Sequence, residues 1–322
     1  MKKRILIISS IVLCILIVAG GVYQYNTAKA EKKEQFESLL TYIKAGEEEN
    51  AEKVLKNNKS KAFINKESEE GYTPLEYALH MQLYSLSRTL LEQGADVSPK
   101  ADNPLFIQLA YSLDHYQQMQ VEEKQKVKNE MFKMALKKAE AKLKEKDEQG
   151  NTALHIVSLK GDDVLARLFI KYGANPGIKN KAGETPLMLA VQEGNVEASQ
   201  ALIESDKELT KIQDHEKNTL LTIGVIGGRT DIVKLLTRTG LIPVDSKNEL
   251  GKTALMYASE FGEKEQVQLL LDAKADKSIK SKEGKTAYDY AKEWDHKGIM
   301  KLLKKIKQGA PCFIFLYSAY RV

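Results

Sequence analysis

The sequence predicts an all-α fold of stacked helix pairs joined by β-turn or hairpin loops, preceded by one N-terminal transmembrane helix. Three observations carry this expectation. A Gly-x-Thr-x-Leu motif starts at Gly150, Gly183, Lys217, Gly251 and Gly284, at intervals of 33, 34, 34 and 33 residues. A glycine follows eleven residues after the first four of these starts, at Gly161, Gly194, Gly228 and Gly262, and Asp295 takes that place in the last. An uncharged run from Ile5 to Tyr23 stands apart from the lysine- and glutamate-rich remainder.

Composition sets outer bounds. With 322 residues, 43% apolar and 29% charged, the chain is long enough for an elongated array and reads as mostly folded. Its net charge of +5 comes from interleaved lysines and carboxylates, which gives nucleic-acid binding little support. The only cysteines, Cys14 and Cys312, lie at opposite ends and match no zinc spacing.

The N-terminal elements come first. The run of residues 5–23 would span about 28 Å as a helix, close to a bilayer core. Lys2, Lys3 and Arg4, the basic tip of residues 1–4, are expected to stay in the cytoplasm. Residues 5–23 then read as a signal anchor in the cell membrane, with the rest of the chain extracytoplasmic. The alternative is a signal peptide cleaved near Ala30, where Ala28-Lys29-Ala30 has suitable small residues, leaving a periplasmic or secreted array. The length of the apolar run favours the anchor. Residues 24–35 read as a linker, and residues 36–70 as a capping helix pair around "FESLLTYIKAGEEENAEKVLKN".

The repeats follow one physical plan. Thr can cap a short helix, and Pro tolerates the position after it because that N–H has no helical partner. The second glycine ends this helix in a left-handed conformation. A second apolar-periodic helix follows, as in "DIVKLLTRTG" (Asp231–Gly240). An earlier start lies at Gly71, and "NPLFIQLAY" marks one near 101. That unit is too long. Residues 121–147, without Gly or Pro, read as a charged helical extension of its second helix, or alternatively as a partner-docking arm. The apolar residues 310–322 are too short to span a membrane and show no repeat features.

"GNTALHIVSLKGDDVLARLFIKYGAN" and "GETPLMLAVQEGNVEASQALI" resemble the ankyrin-repeat family, over roughly residues 71–306. The resemblance implies an ankyrin-type α-solenoid, a monomeric array that binds proteins and carries no cofactor. The family's motif histidine is present only at His155; Glu76, Met188, Thr222, Met256 and Asp289 replace it elsewhere. His155 reads as a packing and hydrogen-bonding residue. Gly224 and Gly227–Gly228 are expected to loosen the first helix of their unit.

No catalytic constellation is present. The five histidines lack metal-ligand spacing, and no phosphate loop, dinucleotide fingerprint or nucleophile elbow occurs. The chain is therefore read as non-enzymatic. In the resembled family, partners contact the hairpin tips and the inward side of the first helices. Those positions here include Asn151, Glu184, Lys252, Lys285, Leu159 and Lys160, mostly polar as solvent-facing residues should be. Ile226, Leu250, Phe261 and Trp294 are large and apolar instead, and fall in the last three units. They form a candidate partner site, or else pack on one another, or the chain's own tail covers Trp294. The expected function is a membrane-tethered scaffold capturing a protein partner. An immunity-type binder that neutralises a toxin or effector is the alternative.

Overall fold

The computed structural model describes residues 25–57, 63–97, 122–138 and 143–305. Among them the regular structure is entirely helical. Helix α1 covers 25–44. It is followed by α2 (Glu48–Asn57), α3 (Pro74–His80), α4 (Tyr84–Glu92), α5 (Glu122–Lys138), α6 (Ala153–Lys160) and α7 (Asp163–Lys171). Then come α8 (Pro186–Glu193), α9 (Val196–Ser205), α10 (Leu220–Ile226), α11 (Thr230–Thr239), α12 (Ala254–Glu260), α13 (Lys264–Asp272), α14 (Ala287–Glu293) and α15 (Lys297–Lys305). A 3₁₀ turn, Lys207–Lys211, links α9 to α10.

The first helix of each described repeat is only seven or eight residues long, too short to persist alone in water. Its start is fixed by threonine. Thr73 and Glu76 form a reciprocal capping box, as do Thr286 and Asp289. Thr219 caps through the Thr222 amide, and Thr185 through that of Met188. The Thr152 amide donates to Nδ1 of the fully buried His155 at 3.1 Å. The residue three after the threonine thus varies in type while usually still offering an acceptor to the helix start. Thr253 makes no side-chain cap bond.

Two compact units are present: Met1–Val157 with Leu168–Asn175, and Ser158–Arg167 with Pro176–Val322. In the first, Phe36, Leu39 and Ile43 of α1 and Leu55 of α2 are buried, and the Phe36 and Phe63 rings lie 6.4 Å apart. Helix α5 packs on α4 with Met131, Phe132, Ala135 and Leu136 buried, and Phe132 meets Phe169 edge-on at 6.2 Å. In the second, the first helices α8, α10, α12 and α14 stack in series, as do α9, α11, α13 and α15. Small buried residues, Ala190, Gly224, Ala258 and Ala291, sit at one repeated position and let the helices approach. A Cβ at Gly224 would lie 3.1 Å from Ile232 Cγ2.

Several expectations change. The linker of residues 24–35 is helical from residue 25 and continuous with α1. The cause is local: 25–44 holds no Gly or Pro and is rich in Ala, Lys, Glu and Gln, all strong helix formers. Within 121–147 the segment Glu122–Lys138, α5, is helical as expected, but its apolar face is covered by α4 and Arg88 pairs with Glu130 at 2.9 Å, which does not fit the alternative of a free docking arm. Gly224 does not loosen its helix but serves its packing. Residues 5–23, most of the unit expected at 101, and the tail 307–322 lie outside the described residues. Among those described, no helix is long and apolar enough to cross a membrane.

Lys217 stands where the other starts carry glycine, and adopts φ 61°. A side chain in that region costs roughly 1–2 kcal/mol, and its ion pair with Glu249 at 3.5 Å is exposed. Lys217→Gly should therefore raise stability by about 1 kcal/mol, measured by denaturant unfolding.

Candidate partner-binding surface

Each loop tip is built on one residue that sequence reasoning passed over. Three positions before each repeat start stand Ser68, Asp147, Asn180, Asp214, Asn248 and Ser281. Asp147 Oδ1 accepts from the amides of Gln149 and Asn151, at 2.9 and 2.7 Å. Asp214 does the same for Glu216 and Asn218, and Asn248 for Leu250 and Lys252. Ser68 accepts from Glu70 and Tyr72. A short oxygen-bearing side chain is what such a turn needs. The signal was present in the sequence as an invariable Asp, Asn or Ser at this spacing.

Tyrosines anchor three of these tips to the helices. Tyr257 accepts from Asn248 Nδ2 at 2.9 Å, Tyr290 donates to Ser281 Oγ at 3.1 Å, and Tyr77 lies 3.1 Å from Ser68 Oγ. Asn248 Nδ2 also reaches Asn218 Oδ1 of the preceding repeat at 2.9 Å. Neighbouring tips are further joined through the backbone, Glu249 N to Glu216 O and Lys282 N to Leu250 O.

Lys252 belongs to this support and not to the contact surface. Its side chain is buried, with Nζ 2.7 Å from Glu260 Oε2 and over the rings of Tyr257 and Tyr290, 4.9 and 4.4 Å from their centres. Burial alone would lower its pKa. The hydrogen bond and charge of Glu260, with the two tyrosines, outweigh that and hold it above the ordinary lysine value. Lys285 occupies the same place one repeat later, half-exposed, paired with Glu293 at 2.9 Å and Glu283 at 3.1 Å. Those two carboxylates raise its pKa as well.

The apolar candidates stand clear of this support. Ile226 is 44% exposed, Leu250 54%, Phe261 47% and Trp294 62%, so they do not bury one another. Phe261 and Trp294 cap successive first helices, and the Phe261 ring leans on Tyr257 at 5.9 Å. Leu159 and Lys160 are half-buried at the end of α6. Glu184 is held by Asn180 at its loop tip. Asn151 is tied to Asp147 and lies in the first unit, whereas the other candidates lie in the second. Among the described residues no cluster of His, Cys, Asp or Glu could hold a metal ion.

A family description, Ankyrin repeats (3 copies), matches residues 123–214 and 221–312, together more than half of the chain. The chain belongs to the ankyrin-repeat family. Its array is 32% identical over 127 residues to the "Transient receptor potential cation channel subfamily A member 1 homolog" of Caenorhabditis elegans, covering 39% of this chain and 10% of that protein. It is 35% identical over 128 residues to "Ankyrin repeat and KH domain-containing protein mask-1" of the same organism, covering 39% and 5%. With the human "ARF GTPase-activating protein GIT2" it shares 43% over 63 residues, covering 20% and 8%. The chain thus spans a tenth or less of these relatives. The crystal structure of "EF0377 an Ankyrin Repeat Protein" superposes with a TM-score of 0.55 at 25% identity, covering 65% of this chain and all of that one. Ankyrin repeats form protein–protein interaction modules, and the fold is generally a non-catalytic scaffold.

The two lysines separate support from surface. Removing one partner of a buried ion pair strands the other, whereas exposed pairs contribute little. Lys252→Met should cost about 2 kcal/mol and Lys285→Met less than about 0.5 kcal/mol in denaturant unfolding at neutral pH. Because the Lys252 pKa is raised, its contribution is complete below the ordinary lysine value near 10.5 and fades as pH rises through the folded value. The gap between the variants should therefore close only in strong alkali. Equal costs at neutral pH would return Lys252 to the surface.

Proposed function

We propose that this ankyrin array is a membrane-tethered scaffold that captures a protein partner on the extracytoplasmic side, through the row formed by Ile226, Leu250, Phe261 and Trp294. The carrying observation is that four large apolar side chains stay exposed in consecutive repeats, with a buried polar network fixing the tip of Leu250 and the helix that ends at Phe261. Exposed apolar groups on a preorganised support lose little conformational freedom on binding, and aromatic anchors supply much of the energy at such sites. The tether rests on residues 5–23 and the preceding Lys2, Lys3 and Arg4.

The double change Phe261→Ser and Trp294→Ser should abolish partner capture from native membranes while costing less than about 1 kcal/mol of stability. A large loss of stability would mean that these rings serve packing instead. Fractionation of the full-length chain tests the tether separately. Retention with membranes after carbonate extraction is expected, and release into a soluble fraction lacking residues 1–30 would reject it.

A further inference from the structure

A side-chain stitch joins successive repeats of the second unit, and it is interrupted once. The residue directly after the second glycine of a repeat, or after Asp295 where the last repeat has no glycine, reaches back to a carbonyl at the end of the previous repeat's first helix at three of the four junctions. Asn195 Nδ2 donates to Ser158 O at 2.9 Å and Leu159 O at 2.7 Å. Arg229 Nε donates to Gln192 O at 2.8 Å, with its Nη2 3.7 Å from Glu193. His296 Nε2 lies 3.0 Å from Glu260 O.

The matching residue for α10 is Glu263, and an ionised carboxylate has no proton to donate. Among the described residues no hydrogen bond is made to the carbonyl of Ile226, and Glu263 has no side-chain cap bond and no cation beside it. The space around the glycines agrees. A Cβ placed at Gly161, Gly194 or Gly262 would lie 2.7, 2.9 and 2.8 Å from Asn195, Arg229 and His296 respectively, whereas one placed at Gly228 would meet nothing within 4 Å. The notch that the stitching side chain fills elsewhere is open here. It carries the negative end of α10 together with the Glu263 carboxylate, and both Ile226 and Phe261 are exposed in the same two repeats.

We infer that this notch receives a guanidinium from the partner: an arginine flanked by apolar residues, donating to the Ile226 carbonyl and pairing with Glu263. Arg229 displays the geometry within the same protein, serving a helix-end carbonyl and an adjacent glutamate at once. The inference rests on reading the apolar row as the partner surface and adds a charge requirement to it.

The test uses the full chain in detergent and two fluorescein-labelled peptides, Leu-Arg-Phe and Leu-norleucine-Phe, both acetylated and amidated, followed by anisotropy. Wild type should prefer the arginine peptide by about tenfold or more, as a charge-assisted hydrogen bond implies. Glu263→Arg should fill the notch from within, raising Tm by roughly 2–4 °C and erasing the preference. Glu263→Gln should weaken arginine binding and leave norleucine binding unchanged. Equal binding of both peptides to wild type would overturn the notch while leaving the apolar surface intact. Survival of the preference in Glu263→Arg, or binding of neither peptide, would overturn it as well. Partner capture by wild type against the Phe261→Ser, Trp294→Ser variant reports separately on the surface itself.

Discussion

Helices α3, α10, α12 and α14 are seven residues long, and seven residues do not hold a helix together in water. Everything else in the repeats answers that constraint. Threonine caps satisfy the first amides, and small buried residues such as Ala258 and Ala291 let the next helix come close enough to shield the backbone. Asn195, Arg229 and His296 satisfy acceptors at the other end from a neighbouring repeat. Stability is therefore distributed between neighbours, as expected of a quasi-one-dimensional array.

That dependence explains what could be read from the sequence. The motif interval located the repeats, because caps and turns are local chemistry at fixed offsets. Phe261 and Trp294 were legible as surface residues for the same reason: they stand at positions the packing plan leaves outward. Lys252 was not legible. Its burial is set by Tyr257 in its own repeat, Tyr290 in the next and Glu260 eight residues on, a combination no offset rule identifies. The segment 121–147 was legible in part. The apolar period at Met131 and Ala135 marked a helix with one apolar face, but the covering of that face, with Phe132 and Leu136, by α4 is a long-range contact that no local pattern gives. Helix α1 overran the expected linker because nothing in residues 25–44 interrupts a helix.

The tyrosine-to-tip contact occurs in both units, but its company differs. In the first unit Tyr77 joins Ser68 and Glu70, with Lys44 above its ring at 4.7 Å. That pairing is exposed, and Glu70, hydrogen-bonded by Lys44 and Tyr77, has its carboxyl pKa lowered. In the second unit the cation is enclosed between two tyrosines of successive repeats. Repeats with Ile156, Leu189 or Ile223 at the tyrosine position lack the contact. Tip rigidity is thus concentrated where Leu250, Phe261 and Trp294 protrude.

This concentration bears on why apolar side chains stay exposed there. An exposed aromatic on a mobile loop would be costly to order on binding and prone to unspecific association. On a tip fixed by Asn248, Tyr257 and Lys252 the ordering cost has already been met during folding. The interrupted stitch at Glu263 lies beside the same elements, and there too the protein forgoes a stabilising contact that its neighbouring repeats make. At this surface exposed aromatics stand beside a carbonyl and a carboxylate that no side chain among the described residues serves. Both departures become favourable together when a partner supplies apolar area and a cation at once, since each buries or satisfies what folding left open.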